Sequence, residues 1–152
     1  FGGRARQVTS RNLALAYPQM AGSERERLAK RSLSATGALA GEMGHVWLRS
    51  WEHTVARLEV RGDGLIADAL SRGRGVLVLA PHLGNWEVVG LHCATMGELV
   101  SLYEPPKLRG IGPMIERARQ RSGATLVPTD SRGLVKLLRS VKGSKMSGIM
   151  TD

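Results

Sequence analysis

From Val76 onward the chain alternates short apolar runs with helical stretches of about three turns, and no other feature constrains its fold as tightly. Val76-Leu77-Val78-Leu79-Ala80 is a continuous apolar run, the pattern of a strand covered on both faces. The spacing then predicts a helix from about Asn85 to Met96, a strand near Leu99 to Tyr103, and a helix from Pro113 to Arg121 closed by Gly123. A strand at Thr125 to Val127, a helix from Gly133 to Val141 and strand-like Ile149-Met150 follow. Such a series argues for βαβ units. The expected fold class is α/β, a mainly parallel sheet with flanking helices and a helical N-terminal segment.

Upstream, the arginine-bearing first segment through Ala21 is expected to hold one short helix, ended near Pro18. Ser23 with Glu26 three residues on is a capping-box signal for a second helix. In that helix Leu28, Ala35, Leu39, Met43 and Val46 form one apolar face as far as Trp47. Ala56, Leu58 and Val60 alternate with charged residues, which predicts a half-exposed strand closed by Gly62-Asp63-Gly64. A short helix through Leu65, Ala69 and Leu70, stopping at Gly73, leads into the apolar run.

At 152 residues, 42% of them hydrophobic, the chain has the size and composition of one globular domain. Residues 1–50 form its helical part and residues 51–152 its βα units. The chain opens on Phe1 and stops at Asp152 directly after the apolar run Met146 to Met150, so a partial domain truncated at its C-terminus is expected. No apolar stretch approaches the roughly 18 to 20 residues needed to span a bilayer. Cys93 is the single cysteine, which leaves no intrachain disulfide or zinc-ligand spacing and suits a reducing setting; no metal and no cofactor is expected. The formal charge of +9 calls for an anionic partner. Aromatic residues amount to only 4% and are scattered, so the stacking platforms of single-strand nucleic-acid binders are missing and nucleic acid is not expected.

Ligands of open α/β sheets bind beyond the carboxyl ends of the strands, where loops enter helix N-termini. Here that position holds Pro81-His82-Leu83-Gly84-Asn85-Trp86-Glu87. Gly84 permits close backbone approach, Asn85 suits a helix N-cap, and Glu87 falls in the first turn, from which a carboxylate can reach back to His82. An imidazole held by a carboxylate is a general base, because the carboxylate fixes its tautomer and stabilises the imidazolium. The stretch has no serine or cysteine nucleophile, which suits direct attack by a substrate hydroxyl. A lone histidine after a strand is more often structural, so spacing by itself leaves both readings open. His92 and Cys93 read as packing residues, with Cys93 as an acyl-enzyme nucleophile a minor alternative, and His45 and His53 carry no pattern.

Gly75 through Glu87, with its histidine followed by an acidic residue after four others, resembles the first motif of the lysophospholipid acyltransferase superfamily. Its form His-Leu-Gly-Asn-Trp-Glu resembles the lipid A biosynthesis (lauroyl/myristoyl) acyltransferases, and the fold implied is glycerolipid-acyltransferase-like. The resemblance covers nearly the whole chain. Asn12-Leu13 to Pro18 is similar to the family's segment before the long helix, Glu42 to its helix glutamate, and Leu102-Tyr103 to Lys107 to its second block. Arg117 to Gly123 is similar to its arginine-containing helix end, and Met150-Thr151-Asp152 to its strand running into an Asp-Gln or Asp-His dipeptide. One departure is Tyr103-Glu104-Pro105 where the family often has Tyr-Arg-Pro, which removes an expected arginine contact to substrate phosphate.

The resemblance implies an O-acyltransferase in which His82 is the general base and Glu87 orients it. The acyl donor implied is acyl carrier protein and the acceptor a lipid A precursor; a lysophospholipid, glycolipid or aminolipid acceptor is the near alternative. Backbone amides at Gly84 and Asn85 are the expected oxyanion donors, Arg119 the first choice for a phosphate or oxyanion contact, and Arg117 and Arg121 close behind. Trp86 is expected to border the acyl pocket or belong to the core. The implied location is a membrane surface, the cytoplasmic face of the Gram-negative inner membrane. A reading from another class is a non-catalytic basic module for membrane or nucleic acid, in which His82 is buried and fully paired.

Overall fold

The computed structural model describes residues 3–106 and 110–151, and Lys107 and Asp152, noted above, lie outside the described residues. The chain divides into two compact units at Glu42 and Met43, within one long helix.

The first unit contains α1 (Gly3–Ala16) and most of α2 (Gly22–Leu48). The first segment is thus helical over 14 residues. Arg6 donates to Glu26 at 3.0 Å, so Glu26 is engaged by α1 and by Lys30, one turn along at 3.4 Å. Of the face predicted on α2, Val46 is buried and Leu28, Leu39 and Met43 are half-buried, whereas Ala35 is exposed.

The second unit carries α3 (Trp51–Val55), α4 (Asp63–Ser71), α5 (Trp86–Met96), α6 (Gly112–Gln120) and α7 (Ser131–Lys142). Its strands β1 (Val76–Pro81), β2 (Leu99–Tyr103), β3 (Thr125–Pro128) and β4 (Met146–Thr151) form one sheet in the order β1-β4-β2-β3. Every pairing is parallel, with Val76 opposite Met146 and Leu99 opposite Met146 on the other side. Among the described strands β4 and β2 are therefore the inner pair, with β4 between β1 and β2. On β4 successive side chains go to opposite faces, and both Met146 and Ser147 are fully buried. Met146 joins Cys93 and Leu99 in the core, packed by Ile66 and Leu70 of α4. On the other face α7 lies close: Ser147 donates to Leu137 O at 3.0 Å, and Ser140 donates to Met146 O at 3.1 Å.

Two sequence expectations are corrected. The strand expected over Ala56 to Val60 is absent: Ser50 caps α3 by accepting from the His53 amide, Ala56 N–H closes that helix onto Glu52 O, and the following residues have no strand partner. Three alternating apolar residues do not make a strand without a neighbour to pair with. The run Val76 to Ala80 does form β1, but it is covered on one face only, with Leu77 47% and Leu79 60% exposed. The physical reason is its place at the edge of the described sheet, where α7, which packs mainly on β2, β3 and β4, leaves Leu77 and Leu79 uncovered.

An exposed apolar strand face at a sheet edge drives association. Replacing Leu77 and Leu79 with lysine is expected to lower self-association of this chain in sedimentation experiments while changing its stability by less than about 1 kcal/mol, since both side chains are already wet. Gly133 marks the opposite case. A Cβ there would lie 1.8 Å from Pro128 O, so the first turn of α7 rests directly on the end of β3. Gly133→Ala is expected to cost about 3 kcal/mol in urea unfolding, the upper range for overpacking, because the obstructing atom is backbone.

Candidate functional site

The carboxyl end of β1 delivers the chain into a short loop before α5. Leu83 N–H bonds back to Pro81 O at 2.7 Å, turning the chain sharply after His82. Gly84 has φ of +61°, a left-handed conformation that L side chains rarely adopt, and the space around it is open. The glycine is therefore required by backbone geometry and not by crowding. Asn85 occupies the N-cap position of α5 and its carbonyl accepts from Val88 N–H at 3.3 Å, but its side chain makes no capping bond. Among the described residues its Oδ1 is buried without a hydrogen-bond partner.

His82 is exposed at this edge, and its ring meets Trp86 edge-on at 4.8 Å between centroids. Glu87, in the first turn of α5, is buried, with its side chain only 2% exposed. Both of its carboxylate oxygens are held by Arg119: Nε donates to Oε2 at 3.0 Å and Nη2 to Oε1 at 2.5 Å. A buried carboxylate needs this kind of compensation. Arg119 is fixed in turn by Tyr103, whose ring lies 5.2 Å from the guanidinium carbon. The Tyr103 hydroxyl donates to Gly112 O at 3.3 Å, and burial pushes its pKa above the usual phenol value, against the opposing pull of Arg119.

The three arginines of α6 and its end thus have different places. Arg119 faces Glu87. Arg121 donates to the carbonyls of Val46 and Trp47 at 3.3 and 3.4 Å, satisfying the last turn of α2. Arg117 is exposed. Helical spacing carried a signal for Arg119, which lies one turn on from the buried Ile115 and so on its face. Beneath the ion pair an apolar cavity of ≈ 70 Å³ separates α5 from the sheet, bordered by Trp86, Glu87, Cys93, Arg119, Val78 and Gly148. Its volume suits a few waters and falls well short of a drug-sized ligand pocket. Trp86 lines it. Cys93 is buried, and desolvation raises its thiol pKa, so it packs as a small apolar residue and is a poor nucleophile. Among the described residues no group of three or more potential ligands is placed to hold a metal, and no helix is long and apolar enough to cross a membrane.

The second unit is thus a parallel α/β domain with an exposed histidine at the carboxyl end of a strand and a buried arginine-carboxylate pair reaching the first turn of the next helix. The chain belongs to the bacterial lipid A biosynthesis acyltransferases, whose family model matches residues 1–152. It is 25% identical over 139 residues to the lipid A biosynthesis palmitoleoyltransferase of Escherichia coli (strain K12), an alignment covering 90% of this chain and 45% of the relative. It is 26% identical over 142 residues to the lipid A biosynthesis lauroyltransferase of the same strain, covering 91% and 46%. To a lipid A biosynthesis acyltransferase of Haemophilus influenzae (strain ATCC 51907 / DSM 11121 / KW20 / Rd) it is 23% identical over 156 residues, covering 100% and 49%. The chain spans about half the length of the curated relatives it matches.

Proposed function

We propose that this chain carries the His-Glu half of an O-acyltransferase site that moves a fatty acyl group from acyl carrier protein to a hydroxyl of a lipid A precursor at the cytoplasmic face of the inner membrane. The observation that carries this reading is the exposed His82 at the carboxyl end of β1, next to the buried Glu87 of the following helical turn. The names of the relatives, palmitoleoyl- and lauroyltransferase of lipid A biosynthesis, support the acyl group and the acceptor class.

In this mechanism His82 takes the proton from the acceptor hydroxyl as its oxygen attacks the thioester carbonyl. The tetrahedral oxyanion is met by amides at Gly84 and Asn85, on the positive end of α5. Its collapse forms the new ester C–O bond, breaks the C–S bond, and the leaving thiolate recovers the proton from the imidazolium. Glu87 orients and charge-balances His82. Arg119 takes one lone pair from each Glu87 oxygen, which leaves the remaining lone pairs for the imidazole. Arg119 is therefore a positioning residue acting through Glu87, with Tyr103 behind it, and the exposed Arg117 is the better placed of the α6 arginines for a substrate phosphate. The net charge of +9 suits both an acidic carrier protein and a phosphorylated acceptor.

The test is acyl transfer by the protein carrying this chain, offered acyl carrier protein thioester and a lipid A precursor, beside its His82→Ala variant. Transfer to the precursor that depends on His82 is the expected result. Transfer only to a lysophospholipid, glycolipid or aminolipid would replace the acceptor, and full transfer by the variant would remove His82 from the chemistry.

A further inference from the structure

Away from the sheet edge, the corner between α2 and α3 gathers positive charge without a matching carboxylate. The turn at Arg49-Ser50 brings His45, from the last turn of α2, against His53 of α3, with ring centroids 5.2 Å apart and planes at 41°. Arg57, just past α3, directs Nη1 to the Nε2 of both rings, at 3.3 Å to His45 and closer to His53. A guanidinium can only donate, so both imidazoles accept at Nε2 and carry their protons on Nδ1. Among the described residues neither Arg49 nor Arg57 has a carboxylate partner. Arg121 faces the same corner from the end of α6, near Glu52. The acidic group there is Glu52, whose carboxyl is held below the usual range first by its own backbone amide, then by Ser50 and Arg121.

This is an arrangement in want of an anion: three guanidiniums and two neutral imidazoles on an exposed surface, with one carboxylate already engaged. We propose that the corner of Arg49, Arg57, His45 and His53 is a binding site for a phosphate monoester dianion, which Arg57 and Arg49 hold and which both histidines bind as imidazolium. A phosphate that takes over the Arg57 N–H groups frees the two Nε2 lone pairs for protons and reverses the local field. In the empty site His53 is held below its ordinary 6.5, chiefly by Arg57, then by desolvation, His45 and Arg49. Bound dianion offsets the main cause, so binding takes up a proton at His53 while the ligand stays dianionic. The proposal stands apart from the transferase reading, because none of these side chains belongs to the His82 site.

The test follows the histidine Cε1–H resonances of the chain through a pH titration at constant ionic strength, in chloride, in inorganic phosphate, and with phosphatidylcholine vesicles containing phosphatidic acid. Phosphate is expected to shift the His45 and His53 resonances and to raise the apparent pKa of His53 relative to chloride. Arg57→Gln should remove the response, while Arg61→Gln, at an exposed site paired with Glu59, should keep it. A response to the vesicles but not to inorganic phosphate identifies a lipid-borne phosphate monoester, and the converse a soluble one. Titrations identical in chloride and in both phosphate forms, or a response that survives Arg57→Gln, overturn the site.

Discussion

His82→Ala is expected to slow acyl transfer by about 10²- to 10⁴-fold, the range for removing a general base. The side chain is exposed and lies in a loop, so the variant should fold and melt as the parent does. That separation gives the experiment its force: a rate loss in a protein of unchanged stability belongs to the chemistry. The loss should fall on kcat and on kcat/KM alike, because proton removal is needed only in the transition state. A variant with parental rates would show that His82 serves the loop and that the base lies elsewhere.

Arg119→Ala should act through stability as well as rate. The Glu87 side chain is 2% exposed and that of Arg119 28% exposed. Removing the arginine leaves a buried, uncompensated carboxylate at a cost of about 3 to 5 kcal/mol, with the partial exposure of Arg119 favouring the lower end. Glu87→Ala should cost less, because the arginine left behind can turn towards water. The double replacement Glu87→Leu with Arg119→Met is expected to recover most of the loss in urea unfolding, since apolar residues of similar volume suit a site lined by Val78, Trp86 and Cys93. It should nevertheless remain slow in transfer. Stability without activity in the double variant would establish the pair as a positioning device for His82. Activity restored together with stability would reduce the pair to a structural contact. Arg119→Lys sharpens the distinction, because a point charge cannot reproduce the two parallel bonds of the guanidinium fork.

What could be read along the chain is what depends on neighbours within a turn or a strand. The helical spacing of α5, α6 and α7, the strands β1 to β4, the parallel α/β class and the loop with His82, Gly84 and Glu87 were all legible that way. Each is set by periodicity, by a glycine with positive φ, or by residues within one helical turn of each other. The exposed face of β1 was not legible, because Leu77 and Leu79 have the same character as Val76 and Val78, and only the strand order decides which are covered. The strand expected at Ala56 to Val60 failed for a related reason: alternation describes a possible strand, and pairing makes one.

The same division runs through the candidate site. The sequence by itself determined that His82 and Glu87 sit on either side of a strand-to-helix loop, because seven consecutive residues hold all of that geometry. Only the tertiary structure decided that Arg119, 32 positions from Glu87, would hold its carboxylate, and that Arg57 would stand between His45 and His53. Both constellations join helices or turns whose relative placement is set by packing, and charge compensation acts through space, so no local pattern in the chain records it.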